Sequence, residues 1–306
     1  MRSTVLHGSN AVSAPPQPRA RPQPRRLTTS QMARFYAGYA WAKTIPLWRE
    51  VRSPKVELML YELCWTLGRL AKRGKPDAPW LFRSDRIVTT RGSFRIRANS
   101  MDLLCVSPAF ERDDYQHLLK LLERLIEVEQ RRVLFIDVGA GVGDYTVTVG
   151  NRFKESGRLS IAAFEPLESS LALLHGNISD NGLTAITSVF PVAAFNQDDV
   201  RLDFGVDASD AGSSAIIETG GGLRVTGSRI DSCVGSLLAE TDVVVMKIDV
   251  EGGERQALEG ATQMLRAKEA HIMVEDFIDD SIIDYLTSVG AAFQAKHTPY
   301  NSWWRL

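Results

Sequence analysis

Val133-Leu134-Phe135-Ile136-Asp137-Val138-Gly139-Ala140-Gly141-Val142-Gly143-Asp144-Tyr145 reads as an apolar strand that runs into a glycine-rich turn and then a helix. Glycines there let the backbone turn tightly and let a ligand approach the amides with no Cβ in the way. The same alternation continues downstream. Strands are expected at 133–138, 159–164, 186–194, 243–249 and 272–275, with amphipathic helices near 143–154, 168–181, 253–267 and 280–289. Strands that are apolar on both faces and separated by helices predict a mainly parallel sheet covered on both sides, the doubly wound, Rossmann-like α/β class. Ligands of such sheets bind at the carboxyl ends of the strands, so the residues just after each strand are the functional candidates.

The glycine turn discriminates between two cofactor classes. A dinucleotide fingerprint needs a glycine at the sixth position counted from Gly139 as the first, where Asp144 stands, so that pattern fails. What stands is D-x-G-x-G-x-G, with Asp137, Gly139, Gly141 and Gly143, as in sites for S-adenosyl-L-methionine. That ligand has no phosphate, and its ammonium is a suitable partner for Asp137. The second strand ends in Glu165-Pro166, and a carboxylate there can accept both hydroxyls of a ribose. Nicotinamide enzymes place an acid similarly, so Glu165 indicates adenosine without choosing the cofactor. After the third strand, Ala193 and Ala194 are small enough to admit a flat ring, and Asn196 is placed to read an exocyclic amine. The fourth strand contains Lys247 and is followed by Asp249 and Glu251 at a turn that opens a helix. Charges at a buried strand end require partners or a ligand. Asp249 and Glu251 therefore either face a second substrate, or pair Lys247 and cap the helix starting near Gly253. Glu254 in that helix's first turn complements its dipole. Residues 205–222, rich in Gly, Ser and Asp, read as a long loop, either a lid or a plain connection.

With Glu165-Pro166 and the glycine turn, the run Lys247-Ile248-Asp249-Val250-Glu251-Gly252-Gly253-Glu254 resembles the FkbM family of S-adenosylmethionine-dependent methyltransferases. The resemblance extends over about residues 86–280 and includes Gly212-Ser213-Ser214, Ile230-Asp231-Ser232 and Val274-Glu275. Gly141 departs from it, standing where the family often has Asn. The resemblance implies a class I methyltransferase fold, S-adenosyl-L-methionine as cofactor, and in-line methyl transfer to a hydroxyl on a small natural-product, sugar or lipid acceptor. Asp249 and Glu251 are the catalytic candidates, as general base; Asp137, Gly139, Gly141, Gly143, Glu165 and Asn196 are the cofactor-binding candidates. No metal is assigned, although a metal-assisted variant would use Asp249, Glu251 and Glu275 as hard oxygen ligands. Two other classes compete: a non-catalytic protein that uses this fold for binding, and an RNA methyltransferase that uses a basic N-terminal arm.

The rest of the chain supports a soluble enzyme with an extension. Of 306 residues, 44% are hydrophobic and 24% charged, which excludes a disordered, collagen-like or disulfide-stapled protein. The formal charge of -1 is unevenly spread. Residues 1–30 form a Pro/Arg-rich tail with Arg2, Arg19, Arg21, Arg25 and Arg26 and no acid. The remaining 276 residues hold 31 basic against 37 acidic side chains, and an acidic body argues against nucleic acid as partner. Residues 31–130 read as a helical lead-in, with helices between Thr28 and Arg73, a hairpin over 86–98 and a helix over 113–128; residues 131–306 form the cofactor-binding domain. The aromatic close, Tyr300 to Leu306, is expected to dock on the body or on a second subunit of a homodimer. Three scattered cysteines and the lack of a bilayer-length apolar run lead to the expectation of a cytoplasmic protein.

Overall fold

The computed structural model describes residues 84–98, 100–207, 210–216, 222–276, 281–298 and 300–306. The basic tail and the helices expected between Thr28 and Arg73 lie outside the described residues. The hairpin is formed by β1 (Arg86–Val88) and β2 (Ser93–Arg95), paired antiparallel. A short helix α1 (Asp102–Cys105) leads to α2 (Arg112–Glu123), which runs on into a π-helical turn, Arg124–Val128. Leu118, Leu122, Leu125 and Ile126 are all buried, giving α2 and this turn the inward stripe that their spacing predicts.

The central domain then alternates as expected: β3 (Val133–Val138), α3 (Asp144–Phe153), β4 (Leu159–Phe164), α4 (Glu168–Asp180) and β5 (Thr187–Phe190). A two-residue strand β6 (Ala193–Ala194) follows, then β7 (Val200–Asp207), β8 (Asp210–Ile216), β9 (Leu223–Ser228) and helix α5 (Ile230–Leu238). The last elements are β10 (Val243–Ile248), α6 (Glu254–Glu259), α7 (Thr262–Ala267), β11 (Glu269–Glu275), α8 (Ser281–Ser288), β12 (Ala292–Lys296) and β13 (Asn301–Arg305). Seven strands make one sheet in the order β12-β13-β11-β10-β3-β4-β5. All neighbouring pairs are parallel except those of β13, which runs antiparallel to both β11 and β12. Every residue of β3 and β10 is buried, as strands covered on both faces require. The Rossmann-like fold class is therefore the one expected.

Three local expectations need correction. The single strand over 186–194 is two, β5 and β6, in different sheets, because Pro191 between them has no N–H to continue the ladder. Of the long loop expected over 205–222, the described residues 205–207 and 210–216 are strand: β7 and β8 pair antiparallel and join β9 and β6 in a four-stranded sheet. Leu202 and Phe204 of β7 are buried together with Val225 of β9. The helix over 253–267 is broken into α6 and α7 at Gly260, where a Cβ would stand 2.0 Å from the Phe195 carbonyl oxygen. Trp303 and Trp304 of β13 are buried, so the aromatic close is docked on the body. No helix among the described residues is long and apolar enough to cross a membrane.

Candidate functional site

β3 and β10 are neighbours, but β3 connects onward to β4 on its other side, so the strand order reverses between β3 and β10. The carboxyl end of such a switch point is where open α/β sheets hold ligands. The glycine turn lies there, and its glycines differ in purpose. Gly139 has φ 78°, and a Cβ on it would lie 1.9 Å from the Asp249 carbonyl oxygen. Gly143 has φ 86°, with Leu174 Cδ1 only 2.6 Å from the corresponding point. Gly141, at φ 54°, would direct a Cβ into space with no atom within 4 Å. Gly139 and Gly143 are needed for close packing, whereas Gly141 opens on a cleft that Gly139 also lines. The charged groups of its wall are Arg97, Glu165, Asp249 and Glu251. Phe164, Leu167, Val192 and Phe204 give it an apolar part suited to a flat ring.

Glu165 is buried at the end of β4. One carboxylate oxygen accepts the Gly141 N–H at 2.9 Å and the other the Leu167 N–H at 2.8 Å. Burial pushes its pKa up to about 7, against the pull of those two amides and of Arg97. Arg97, in the segment after β2, is held by Asp102. Its Nε donates to Oδ2 at 2.9 Å and Nη2 to Oδ1 at 2.8 Å, while Nη1 donates to Ser170 Oγ at 3.1 Å.

Asp137 does not reach the cleft wall. It is wholly buried and is the cross-strand partner of Lys247 in the β3–β10 register. Its Oδ2 accepts both the N–H and the hydroxyl of Thr146, and its Oδ1 lies 3.9 Å from Lys247 Nζ. Lys247 also donates to the Gly139 carbonyl at 3.1 Å and lies 3.5 Å from Asp249 Oδ2. Burial alone would lower the pKa of this ammonium, but Asp249, Asp137 and further carboxylates raise it well above the ordinary lysine value. Lys247 thus fixes the glycine turn by its carbonyl and holds Asp249 at the cleft. Asn196 is not brought into the site either: it is exposed, and its amide donates to Glu259 Oε2 at 2.8 Å. We expect Asn196→Ala to leave the affinity for a nucleoside ligand within about two-fold of wild type in calorimetry, the size of a surface change.

Asp249, Glu251 and Glu275 offer carboxylate oxygens that lie within 4.8 Å of one another. Burial and the facing carboxylates of Asp249 and Glu251 hold Glu275 well above the ordinary carboxylate range. The turn after β10 is tied by Glu254, whose carboxylate accepts the N–H groups of Val250 and Gly252. Glu251 takes a left-handed φ of 55°, a conformation costly for a residue with a Cβ.

Sequence reasoning missed two charged groups of the lead-in. Arg97 reads as part of a hairpin, since its contacts to Ser170 and Glu165 are about 70 residues away in sequence. Glu111 precedes α2 at φ 45° and accepts the Tyr145 hydroxyl at 2.8 Å and the Asn301 amide at 3.1 Å. Burial and Asp249 push its pKa up to about 7. No spacing rule marks it, because its partners come from α3 and β13.

Residues 137–292 match the family model described as the methyltransferase FkbM domain. Among solved structures, methyltransferase FkbM from Methylobacillus flagellatus KT is similar at 17% identity and TM-score 0.40, over 56% of this chain and 42% of that one. The Pyrococcus abyssi tRNA (uracil-54, C5)-methyltransferase is similar at 12% identity and TM-score 0.40, over 72% and 43%. The human methyltransferase 10 domain containing protein is similar at 14% identity and TM-score 0.38, over 83% and 96%. The chain thus spans less than half the length of the first two. No curated protein matches the sequence.

Proposed function

The chain belongs to the FkbM methyltransferase family, and from that premise we propose that it is an S-adenosyl-L-methionine-dependent O-methyltransferase acting on a hydroxyl of a small natural-product, sugar or lipid acceptor. The observation that carries the reading is that Gly141, Glu165 and Asp249, from three different strand ends, open on one cleft. The residues present fit the cofactor. Gly141 leaves room where any side chain would intrude, Glu165 can accept ribose hydroxyls, and the apolar wall suits adenine. A buried carboxylate such as Glu165, with hydroxyl donors replacing water, also distinguishes a nucleoside from a phosphate ligand. Acidic groups around the cleft favour a small acceptor over nucleic acid.

When bound, the cofactor supplies a methyl group on a sulfonium, an already activated leaving group. The chain's task is therefore mainly to hold the acceptor oxygen in line and close. Asp249, anchored by Lys247, and Glu251 stand at the cleft as proton acceptors for the acceptor hydroxyl. Calorimetry with S-adenosylhomocysteine and with NAD tests the cofactor assignment: binding of the first alone is expected, and no binding of it removes the reading.

The Glu165 carboxyl implies a pH dependence. Only its ionised form accepts from both ribose hydroxyls, and with a pKa of about 7 it is mostly protonated at pH 6 and mostly ionised at pH 8. Affinity for S-adenosylhomocysteine should therefore rise about ten-fold between those values and level off above them. The effect on folding has the opposite sign. A carboxyl raised from 4.5 to about 7 contributes stability at low pH that is lost as pH rises through its folded value. Glu165→Gln should abolish the Glu165 part of both trends; an unchanged affinity profile would mean that Glu165 does not hold the ribose.

A further inference from the structure

Among the described residues, Arg97 is the one cation of the cleft wall, against the carboxylates of Glu165, Asp249 and Glu251. It is a built group rather than a loose surface arginine. Asp102, 5% exposed, grips its Nε and Nη2 edge bidentately, and accepts the Arg97 backbone N–H at 2.7 Å as well. Asp102 is itself held by the hydroxyl of Ser100, which accepts its N–H, and that hydroxyl donates in turn to the Arg97 carbonyl. Ser170 accepts from Nη1. A guanidinium carries five N–H donors, so three are engaged and two remain for a ligand. Asp102 neutralises part of the charge, but a planar fork fixed in this way loses little entropy when it binds a carboxylate.

The cofactor proposed above has an amino-acid tail with one carboxylate and one ammonium. Among the described residues of the cleft wall, only Arg97 carries a charge opposite to that carboxylate. Resting on that reading, we propose that Arg97, oriented by Asp102, binds the α-carboxylate of the cofactor's methionine tail. Asp102 is then a positioning residue. The lead-in segment thereby contributes directly to cofactor recognition.

The test compares S-adenosylhomocysteine with its decarboxylated analogue, which keeps the nucleoside, the thioether and the amine. Calorimetry on the full chain should show wild type binding the carboxylated ligand roughly 10- to 100-fold more tightly, the range for a charged hydrogen-bonded pair. Arg97→Gln should remove that preference by weakening S-adenosylhomocysteine alone. The variant leaves Asp102 buried without its partner, so Arg97→Gln combined with Asp102→Asn provides a folded control, checked by thermal melting. Equal affinity of wild type for the two ligands overturns the proposal, as does a variant that keeps the preference or weakens both ligands alike. Failure of wild type to bind either ligand would instead remove the S-adenosylmethionine reading on which it rests.

Discussion

Gly139→Ala is expected to be among the most damaging single substitutions in this chain. A β-carbon at that position would lie 1.9 Å from the Asp249 carbonyl oxygen and 3.0 Å from its carbonyl carbon. Neither atom is the end of a flexible side chain, so the glycine turn and the β10 end must separate. Adding the left-handed φ of 78°, which costs an alanine about 1 kcal/mol, to an overpacking cost of about 1–3 kcal/mol gives a loss of roughly 2–4 kcal/mol. Urea unfolding would register this as a lower midpoint with an unchanged slope. Gly141→Ala is the control. Its β-carbon meets nothing, so only the conformational cost of about 1 kcal/mol is expected, while affinity for S-adenosylhomocysteine falls. Equal losses of stability in the two variants would refute the close-approach account of Gly139.

Lys247→Met should be comparably destabilising, by about 3–5 kcal/mol, because it removes the ammonium from beside a wholly buried Asp137. The methionine fills similar volume, so the loss reports an uncompensated charge rather than a cavity. Pairing it with Asp137→Asn removes that charge and should recover most of the stability. A double variant no more stable than Lys247→Met would show that the ion pair is not the cause. Burial already raises the Asp137 pKa, with Lys247 and Thr146 opposing that rise. Without Lys247 the carboxyl is raised further, so its contribution is lost as pH increases. The deficit of the single variant should therefore shrink as pH falls toward the ordinary carboxylate range.

The fold was legible where burial imposes a pattern. β3, β4 and β10 are apolar on successive residues because both faces are covered, and the glycine turn after β3 has a spacing that only a strand-turn-helix junction needs. Legibility failed where a contact with a distant segment decided the outcome. Gly260 lies against the carbonyl of the distant Phe195, and the strand character of residues 205–207 and 210–216 rests on the antiparallel pairing of β7 with β8. The site divides in the same way. Glu165, Asp249 and Glu251 line one cleft because each follows a strand, and strand ends converge by topology. Asp137 was misdirected because a strand residue can face the ligand or its neighbour, and Lys247 draws it inward. Asn196 was drawn out to Glu259 on the α6 side. Arg97 and Glu111 lie before the sheet in a segment whose position is fixed only by tertiary contacts.

Strand β13 is the last element, yet it lies between β11 and β12 rather than at an edge. From it, Asn301 reaches Glu111 and Asp114, and Trp303 donates to Asp114, partners nearly 190 residues earlier. A chain emerging from the ribosome thus holds the lead-in long before the strand that ties it to the sheet. Contacts of such separation close late and slowly. A nascent chain that stops short of residue 301 therefore presents the glycine turn without the clasp that holds Glu111 and Asp114 in place.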